Sequence, residues 1–451
     1  MTNSENGATA QLADFVLNSR FEDIPDAVRQ EAIRTLLNWI GVAVGGCRHE
    51  SVDIVLETLG TGGPGTGAAS ILGRLEKTDG LSAALINGIS SHVFDFDDTH
   101  LATAIHPAGP VLAAILPLAE QQQISGAELL HAMILGIDVT CRLGQSVSPE
   151  HYSVGWHISG TAGIFGAAAA ASRLLGHTPQ QTRWALGLAA TQSSGLREMF
   201  GSMCKSFHVG NAAKNGLFSA ILAGKGFTSS EQGIEAKRGW ANTLSTKQDF
   251  SFISDGLGEK FLIMENSYKP FACGVVVHPG IDGCIQLRDE HGLSPDDIEA
   301  IELRVHPLVL ELTGKDSPKT GLEGKFSIYH ACAIAIQHGK GGETEFSDEA
   351  VNDAVAVALR QKVKPQTDKS VRADAMAITI KTKDGRSLEK YVQKALGSQE
   401  NPISDAQMDE KARDLCKPIL GAEGTEKLIE TCRSAFALEN AVDITAASTP
   451  G

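Results

Sequence analysis

The sequence predicts a two-domain protein, a large all-helical domain joined to a smaller α+β lid domain. Three observations carry this. The 451 residues are too many for one simple core. Up to about residue 260, apolar residues recur at helical spacing and no convincing strand interrupts them. Beyond Lys269 the pattern changes to short alternating runs with a hairpin turn between two of them. The expected division is 1–265 for the helical domain, 266–397 for the α+β domain, and 398–440 as C-terminal helices that return to complete the first.

Taken in order, residues 9–19 and 25–46 read as helices, with Pro25 suited to a first helical position and Gly45-Gly46 ending the second. The glycine-rich stretch 60–67 has neither the Lys-Ser/Thr pair nor the strand–loop–helix setting of a phosphate cradle and reads as a connection. Helices follow at 79–91, 108–121, 125–146, 159–176, 179–194, 209–226 and 229–236. Asp79 provides a cap, Ser125 with Glu128 a capping box, and Pro179 a helix start. Residues 160–172 are nearly all small, so that helix is expected to be central and packed on every side.

In the second part, residues 298–312 contain the run 301–305, which alternates apolar and polar residues and reads as a strand, and Asp384-Gly385 separates two alternating runs, a strong hairpin signal. With helices at 278–291, 327–338 and 347–361, this gives three or four antiparallel strands with helices on one face. Residues 405–437 return to helical periodicity, and the tail from Ala441 is expected to fray.

Composition narrows the function. Apolar content of 42% with 21% charged residues describes an ordinary globular protein, and aromatics are scarce at 5%. A net charge of −15 argues against nucleic acid and against anionic membrane surfaces, though not against a small anion in a locally basic pocket. Eight scattered cysteines form no C-x-x-C pair, which fits reduced thiols rather than a zinc or iron–sulfur site. No secretory pattern and no apolar run of ~18 residues is present, so a cytoplasmic protein is the expectation.

The chemistry concentrates in residues 92–109, His-Val-Phe-Asp-Phe-Asp-Asp-Thr-His-Leu-Ala-Thr-Ala-Ile-His-Pro-Ala-Gly, set between the apolar runs 81–89 and 111–118. A capped helix end with surface acids is the plain alternative. Acids and imidazoles drawn toward a core instead shift each other's pKa values, which points to a functional site. Four further stretches concentrate reactive groups. His157 and Thr161 lie near the start of the small-residue helix, where helix N–H groups suit a carboxylate, although a histidine that merely caps the helix fits as well. Arg197, Lys205, His208 and Lys214 form a cationic group before another Gly- and Ala-rich helix. Lys269 sits in an X-Pro segment at the domain junction. Ser327, Tyr329 and His330 open a helix.

No set of His92, Asp95, His100 and His106 has a known metal-ligand spacing, so neither a metal nor another cofactor is expected. Asp95-Phe-Asp-Asp98 matches a D-x-D-D proton-initiated cyclase, but the low aromatic content gives such a cavity poor support. An acid–base enzyme acting on a small carboxylate accounts for more of these residues.

Asp95-Phe-Asp-Asp-Thr-His100 followed by His106-Pro, with Gly155-Trp-His157, Lys205-Ser-Phe-His-Val-Gly210 and Tyr268-Lys-Pro270, resembles the MmgE/PrpD family over roughly residues 10–435. That resemblance implies a helical domain with an α+β lid, no cofactor, a homodimer, and a small polycarboxylate substrate. It also implies catalytic roles for His106, Asp95 and His157, and substrate binding by Thr99, Lys205 and Lys269. The lid departs from the common Phe-Ser-x-x-Tyr pattern: here Phe326-Ser-Ile-Tyr-His330 leaves either Tyr329 or His330 to take that role. The Thr99-to-His106 spacing is one residue longer than in cis-aconitate decarboxylases. The family's common chemistry is proton transfer next to a carboxylate. A 2-methylcitrate dehydratase-type hydro-lyase is the leading expectation. An iminodisuccinate-type epimerase, a cis-aconitate-type decarboxylase and a non-catalytic binding protein are the alternatives. Lys205 and Lys269 are expected to make a cationic cleft where the domains meet.

Overall fold

The computed structural model describes residues 7–60 and 67–451, so most of the glycine-rich connection at 60–67 lies outside the described residues. The chain divides into two compact units. One holds the residues up to Val93, Asp97–Asn266 and Asp405–Gly451, and the other holds Phe94–Phe96 and Ser267–Ser404.

The first unit is helical: α1 (Ala8–Asn18), α2 (Asp26–Gly46), α3 (Glu50–Leu59), α4 (Gly80–His92), α5 (Ala108–Gln122), α6 (Gly126–Val147), α7 (Glu150–Val154), α8 (Ile158–Leu174), α9 (Pro179–Gln192), α10 (Cys204–Gly224), α11 (Trp240–Leu244) and α12 (Ser251–Ser254). Caps fix the starts where the sequence points to them. Asp79 accepts from the N–H groups of Leu81 and Ser82, Ser125 with Glu128 closes a capping box, and Thr178 with Gln181 closes another ahead of Pro179.

Every residue of α8 from Ile158 to Ser172 is buried, as its small side chains require. It packs against α5, α6 and α10, and α10 in turn packs on α4. Glycine makes the last contact possible: a Cβ on Gly88 would lie 2.6 Å from the Cα of Gly210. Buried Arg142 on α6 donates to the carbonyls of Phe252, Ile253, Asp255, Gly256 and Lys260 while its Nε donates to Asp138 at 2.6 Å, tying that loop to the helix.

Several expectations need correction. Three short strands occur before residue 260: β1 (Ala69–Ser70) pairs antiparallel with β2 (Lys77–Thr78), and β3 is Asp98–His100. Two or three residues are too few to show alternation. Residues 229–236 are turns rather than helix, because their backbone is pressed onto α9. There a Cβ on Gly187 would lie 2.4 Å from the carbonyl oxygen of Ser230, and Ser229 donates to the Trp184 carbonyl. The helix expected from 209 starts at Cys204, so Lys205 lies in its first turn.

Of the second unit, β4 (Asn266–Tyr268) straddles the entry, and then follow α13 (His278–His291), β5 (Ile298–Val305), α14 (Pro307–Thr313), α15 (Gly321–Gly324), α16 (Ile328–His338), α17 (Asp348–Asn352), α18 (Ala354–Arg360), β6 (Val363–Thr367), β7 (Met376–Thr382) and β8 (Ser387–Val392). The sheet order is β6-β5-β7-β8. β7 and β8 form the hairpin expected at Asp384-Gly385, with Gly385 at φ 88°. The all-antiparallel expectation fails at β6, which pairs parallel to β5 after a crossover through five helices, α14 to α18. Met376, Ile378 and Ile380 of β7 are buried in alternation. α13 packs on this sheet, where a Cβ on Gly283 would meet Ile378 and Val392. The single helix expected over 347–361 is two, because Asp353 caps the second by accepting from the N–H groups of Val355 and Ala356.

The chain then re-enters the helical unit as α19 (Asp405–Arg433), broken at Gly421 with φ 72°, and α20 (Val442–Ala447). α19 packs on α2, with Lys411 Nζ donating to buried Asn38 Oδ1 at 2.8 Å. The tail does not fray. Ile444 and Thr445 are buried, and the N–H of Ala441 donates to the Ile124 carbonyl. Among the described residues no helix is long and apolar enough to cross a membrane.

Candidate active site

The helical unit assembles a cluster of imidazoles from the ends of three helices and one loop. α4 delivers His92 in its last turn, fully buried. The Nδ1 of His92 lies 2.6 Å from Asp97 Oδ2, so the ring donates that proton to the carboxylate and presents Nε2 on its other side. The loop after β3 folds back on itself through the His100 N–H donating to the Ile105 carbonyl, with Ala104 at φ 58°. That turn aims His106 inward. Its backbone N–H donates to Ser159 Oγ on α8, and its Nδ1 donates to the Asp98 carbonyl at 2.7 Å. Thr99 Oγ1 lies 3.2 Å from the same nitrogen and Asp97 Oδ1 3.4 Å. The Asp98 hydrogen bond therefore sets the tautomer of His106 and leaves the lone pair on Nε2.

Asp98 holds the loop at the other end. Its Oδ2 accepts from Asn266 Nδ2 at 2.7 Å and from the N–H of Ala108 at the start of α5. Burial, reinforced by the neighbouring Asp97 charge, pushes its carboxyl up to about 7 despite those hydrogen bonds.

His157 occupies the position before α8, but its side chain makes no capping bond, which removes the reading of a mere cap. Its Nδ1 meets Nδ1 of His208 at 3.0 Å, and the Phe200 ring stands edge-on to it at 5.0 Å. Burial, with His92, Lys205, His208 and His106 around it, holds His157 neutral well below the ordinary histidine range. Burial likewise pushes His208 down to about 4. Lys205 is buried on the first turn of α10, its Nζ 5.3 Å from the Phe200 ring centre. The His92 ring lies 4.7 Å from His106 and 5.8 Å from His157, centre to centre. Thr161, named with His157 from the sequence, faces elsewhere, onto Nε2 of His151 at 2.7 Å.

In the second unit Lys269 and Asp95 form a buried pair. Nζ donates to Oδ1 at 2.7 Å and to the Asp95 carbonyl at 3.0 Å, with Asp95 itself at φ 52°, a left-handed conformation that a non-glycine residue adopts at a cost. Tyr329 and His330 separate. Tyr329 is half-buried, whereas His330 is fully buried, directs Nε2 at the Glu345 carbonyl, and is pushed down to about 4 by burial. Ser327 caps α16 by accepting from the His330 N–H.

The sequence thus singled out His106, Thr99, His157 and Lys205, which come together in the first unit, and Asp95 and Lys269, which come together in the second. It gave no site role to His92, Asp97, Asp98, Ser159, His208 or Asn266. The density of acids and imidazoles in residues 92–109 signalled the first three, and the cationic group with Lys205 signalled His208.

The N-terminal domain model of the MmgE/PrpD family matches residues 10–253, and the C-terminal domain model of the same family matches residues 271–435. The chain belongs to the MmgE/PrpD family. Among its curated relatives, a cis-aconitate decarboxylase of Aspergillus terreus is 27% identical, covering 98% of this chain and 96% of the relative. The human cis-aconitate decarboxylase is 29% identical over 79% of this chain and 77% of its own length. The 2-methylcitrate dehydratase of Salmonella typhimurium is 22% identical over 83% of this chain and 82% of its own. These MmgE/PrpD relatives are lyases by name, and the imidazole cluster lies within the N-terminal match.

Proposed function

We propose that the protein is a lyase that moves a proton at the carbon next to a carboxylate of a small polycarboxylic acid, with His106 as the proton-transfer group. The observation that carries this is the Nδ1 hydrogen bond from His106 to the Asp98 carbonyl, which leaves Nε2 to face a substrate. Neutral His157 serves as a hydrogen-bond partner for a substrate oxygen, and buried Lys205 as the counter-charge of a carboxylate. The N-terminus of α8 adds its partial positive charge to the same side.

Of the two lyase reactions found among the relatives, decarboxylation of a cis-aconitate-like acid is favoured, because those relatives share more identity with this chain. Dehydration of a 2-methylcitrate-like acid, the sequence-based expectation, is second and rests on the more distant relatives. The two demand opposite starting states of His106. In decarboxylation the carbon–carbon bond to the leaving carboxylate breaks, and its electron pair passes into the carbon skeleton. That carbanionic carbon then takes a proton from His106 imidazolium. In dehydration neutral His106 takes the proton from carbon, the electron pair forms the double bond, and the hydroxyl leaves as water after protonation.

Cis-aconitate and 2-methylcitrate should therefore be offered separately, with carbon dioxide and the unsaturated acid measured as products. Decarboxylation predicts carbon dioxide release from the cis-aconitate-like acid. Dehydration predicts formation of the unsaturated acid from 2-methylcitrate and no gas. Turnover of neither acid, nor of other small polycarboxylates, would remove the lyase reading.

A further inference from the structure

The cluster that supplies the proton-transfer histidine has a second capacity. One ring nitrogen from each of His92, His106 and His157 lies within 4.8 Å of the others, and all three residues are buried. Each Nδ1 is already committed: that of His92 to Asp97, that of His106 to the Asp98 carbonyl, and that of His157 to His208. The Nε2 atoms of His92 and His157 are buried and have no hydrogen-bond partner among the described residues. A buried imidazole nitrogen left bare is costly unless something in the site uses it.

We propose that Nε2 of His92, His106 and His157 together bind one divalent transition-metal ion of the zinc class. Three imidazole nitrogens suit zinc, cobalt or copper and not magnesium or calcium, which take oxygen donors. The Asp97–His92 pair and the Asp98 carbonyl–His106 pair are the outer hydrogen bonds that orient and strengthen metal-bound histidines. The His157–His208 contact completes the set when Nδ1 of His157 donates, which puts the lone pair of His157 on Nε2. Metal–nitrogen bonds of about 2.0–2.1 Å place tetrahedral ligands about 3.4 Å apart, so the rings close in by on the order of 1 Å. Lys205 stands near His157 and opposes a cation, whereas the Asp97 carboxyl, 2.6 Å from His92 Nδ1 and 3.4 Å from His106 Nδ1, favours it.

Such an ion takes the lone pair that His106 needs for proton transfer. Its binding and the lyase reaction are therefore mutually exclusive, and zinc acts as a reversible inhibitor. Binding itself does not rest on the lyase reading.

The test is a titration of untagged, chelator-stripped protein with cobalt(II), read by the intense visible bands of four-coordinate cobalt. One equivalent should give those bands, one equivalent of zinc should abolish them, and magnesium should leave them unchanged. Asp97→Asn should weaken cobalt binding about 10–100-fold, as loss of an outer partner does. His92→Asn and His157→Asn should each abolish the bands with the helical circular dichroism retained, while His291→Gln, on the surface, should not. The proposal is overturned if stripped wild type shows no such bands at one equivalent, or if they persist in any correctly folded variant of His92 or His157. Because the readout is spectral, inactivity toward every acid tried would remove the lyase reading while leaving this one standing.

Discussion

At the residue scale the decisive side chains are held by partners rather than by their own preferences. His106 owes its tautomer to a backbone carbonyl and its position to Ser159 on a helix more than fifty residues away. His106→Ala should lower kcat by about 10²–10⁴-fold, the usual cost of losing a general acid–base group, with the urea unfolding midpoint close to wild type. Lys205→Ala should act mainly through KM, and the wild-type KM should itself rise with salt as the counter-charge is screened. A kcat loss in Lys205→Ala as large as that of His106→Ala would move the proton-transfer role toward α10. The sequence made His106 legible because a His-Pro pair follows a cluster of acids. Asp98 could not be ranked above Asp95 or Asp97, because its raised pKa comes from burial, with the Asp97 charge beside it, and burial is set by tertiary packing that brings in partners as distant as Asn266, 168 positions away.

At the scale of elements, α4 lies backbone to backbone against α10 at Gly88 and Gly210. Gly88→Ala inserts a methyl where 2.6 Å separates it from backbone that cannot rotate away. It should cost about 1–3 kcal/mol in urea unfolding and also weaken turnover, since α4 carries His92 and α10 carries Lys205. Unchanged stability would show that the two helices stand farther apart. Caps and glycine spacing are local, so α4, α6 and α9 were readable from Asp79, Ser125 and Pro179. The hairpin was readable from Asp384-Gly385 for the same reason. β6 was not. Val363-Lys-Pro-Gln-Thr367 pairs in parallel with a strand some sixty residues earlier, at Ile301↔Val363, and nothing within five residues announces a partner at that distance.

For the whole molecule, buried histidines set the acid limit. His131, His151, His208 and His330 are each pushed down to about 4, with burial the largest cause in every case. The unfolded chain binds protons at these rings from about pH 6.5 downward, while the folded chain does not until about pH 4. Stability is therefore fully present above pH 6.5 and is lost as pH falls through that window, at up to about 1.4 kcal/mol per pH unit for each ring. Asp98 runs the other way. Its carboxyl, raised to about 7, favours folding when protonated, and that contribution fades as pH rises from about 4 to 7. His157 and His177 are lowered as well, and the raised carboxyls of Asp138 and Glu343 act with Asp98, so the rings outnumber the carboxyls and give a net loss on acidification between pH 6.5 and 4, to be measured as the urea midpoint against pH. A midpoint that holds steady or rises on acidification over that range would show that these rings are not buried as neutral groups.

The union of α2 with α19 has a further consequence for the chain as it emerges from a ribosome. Asn38 meets Lys411 across 373 positions. At about 5–20 residues per second, on the order of 20–75 s of synthesis separates those two residues. The nascent helical unit must wait with the α2 face uncovered, while the intervening unit, whose four-stranded sheet lies between residues 298 and 392, emerges ahead of α19 and can form first. A segment made after the intervening unit is thus the part that covers the first.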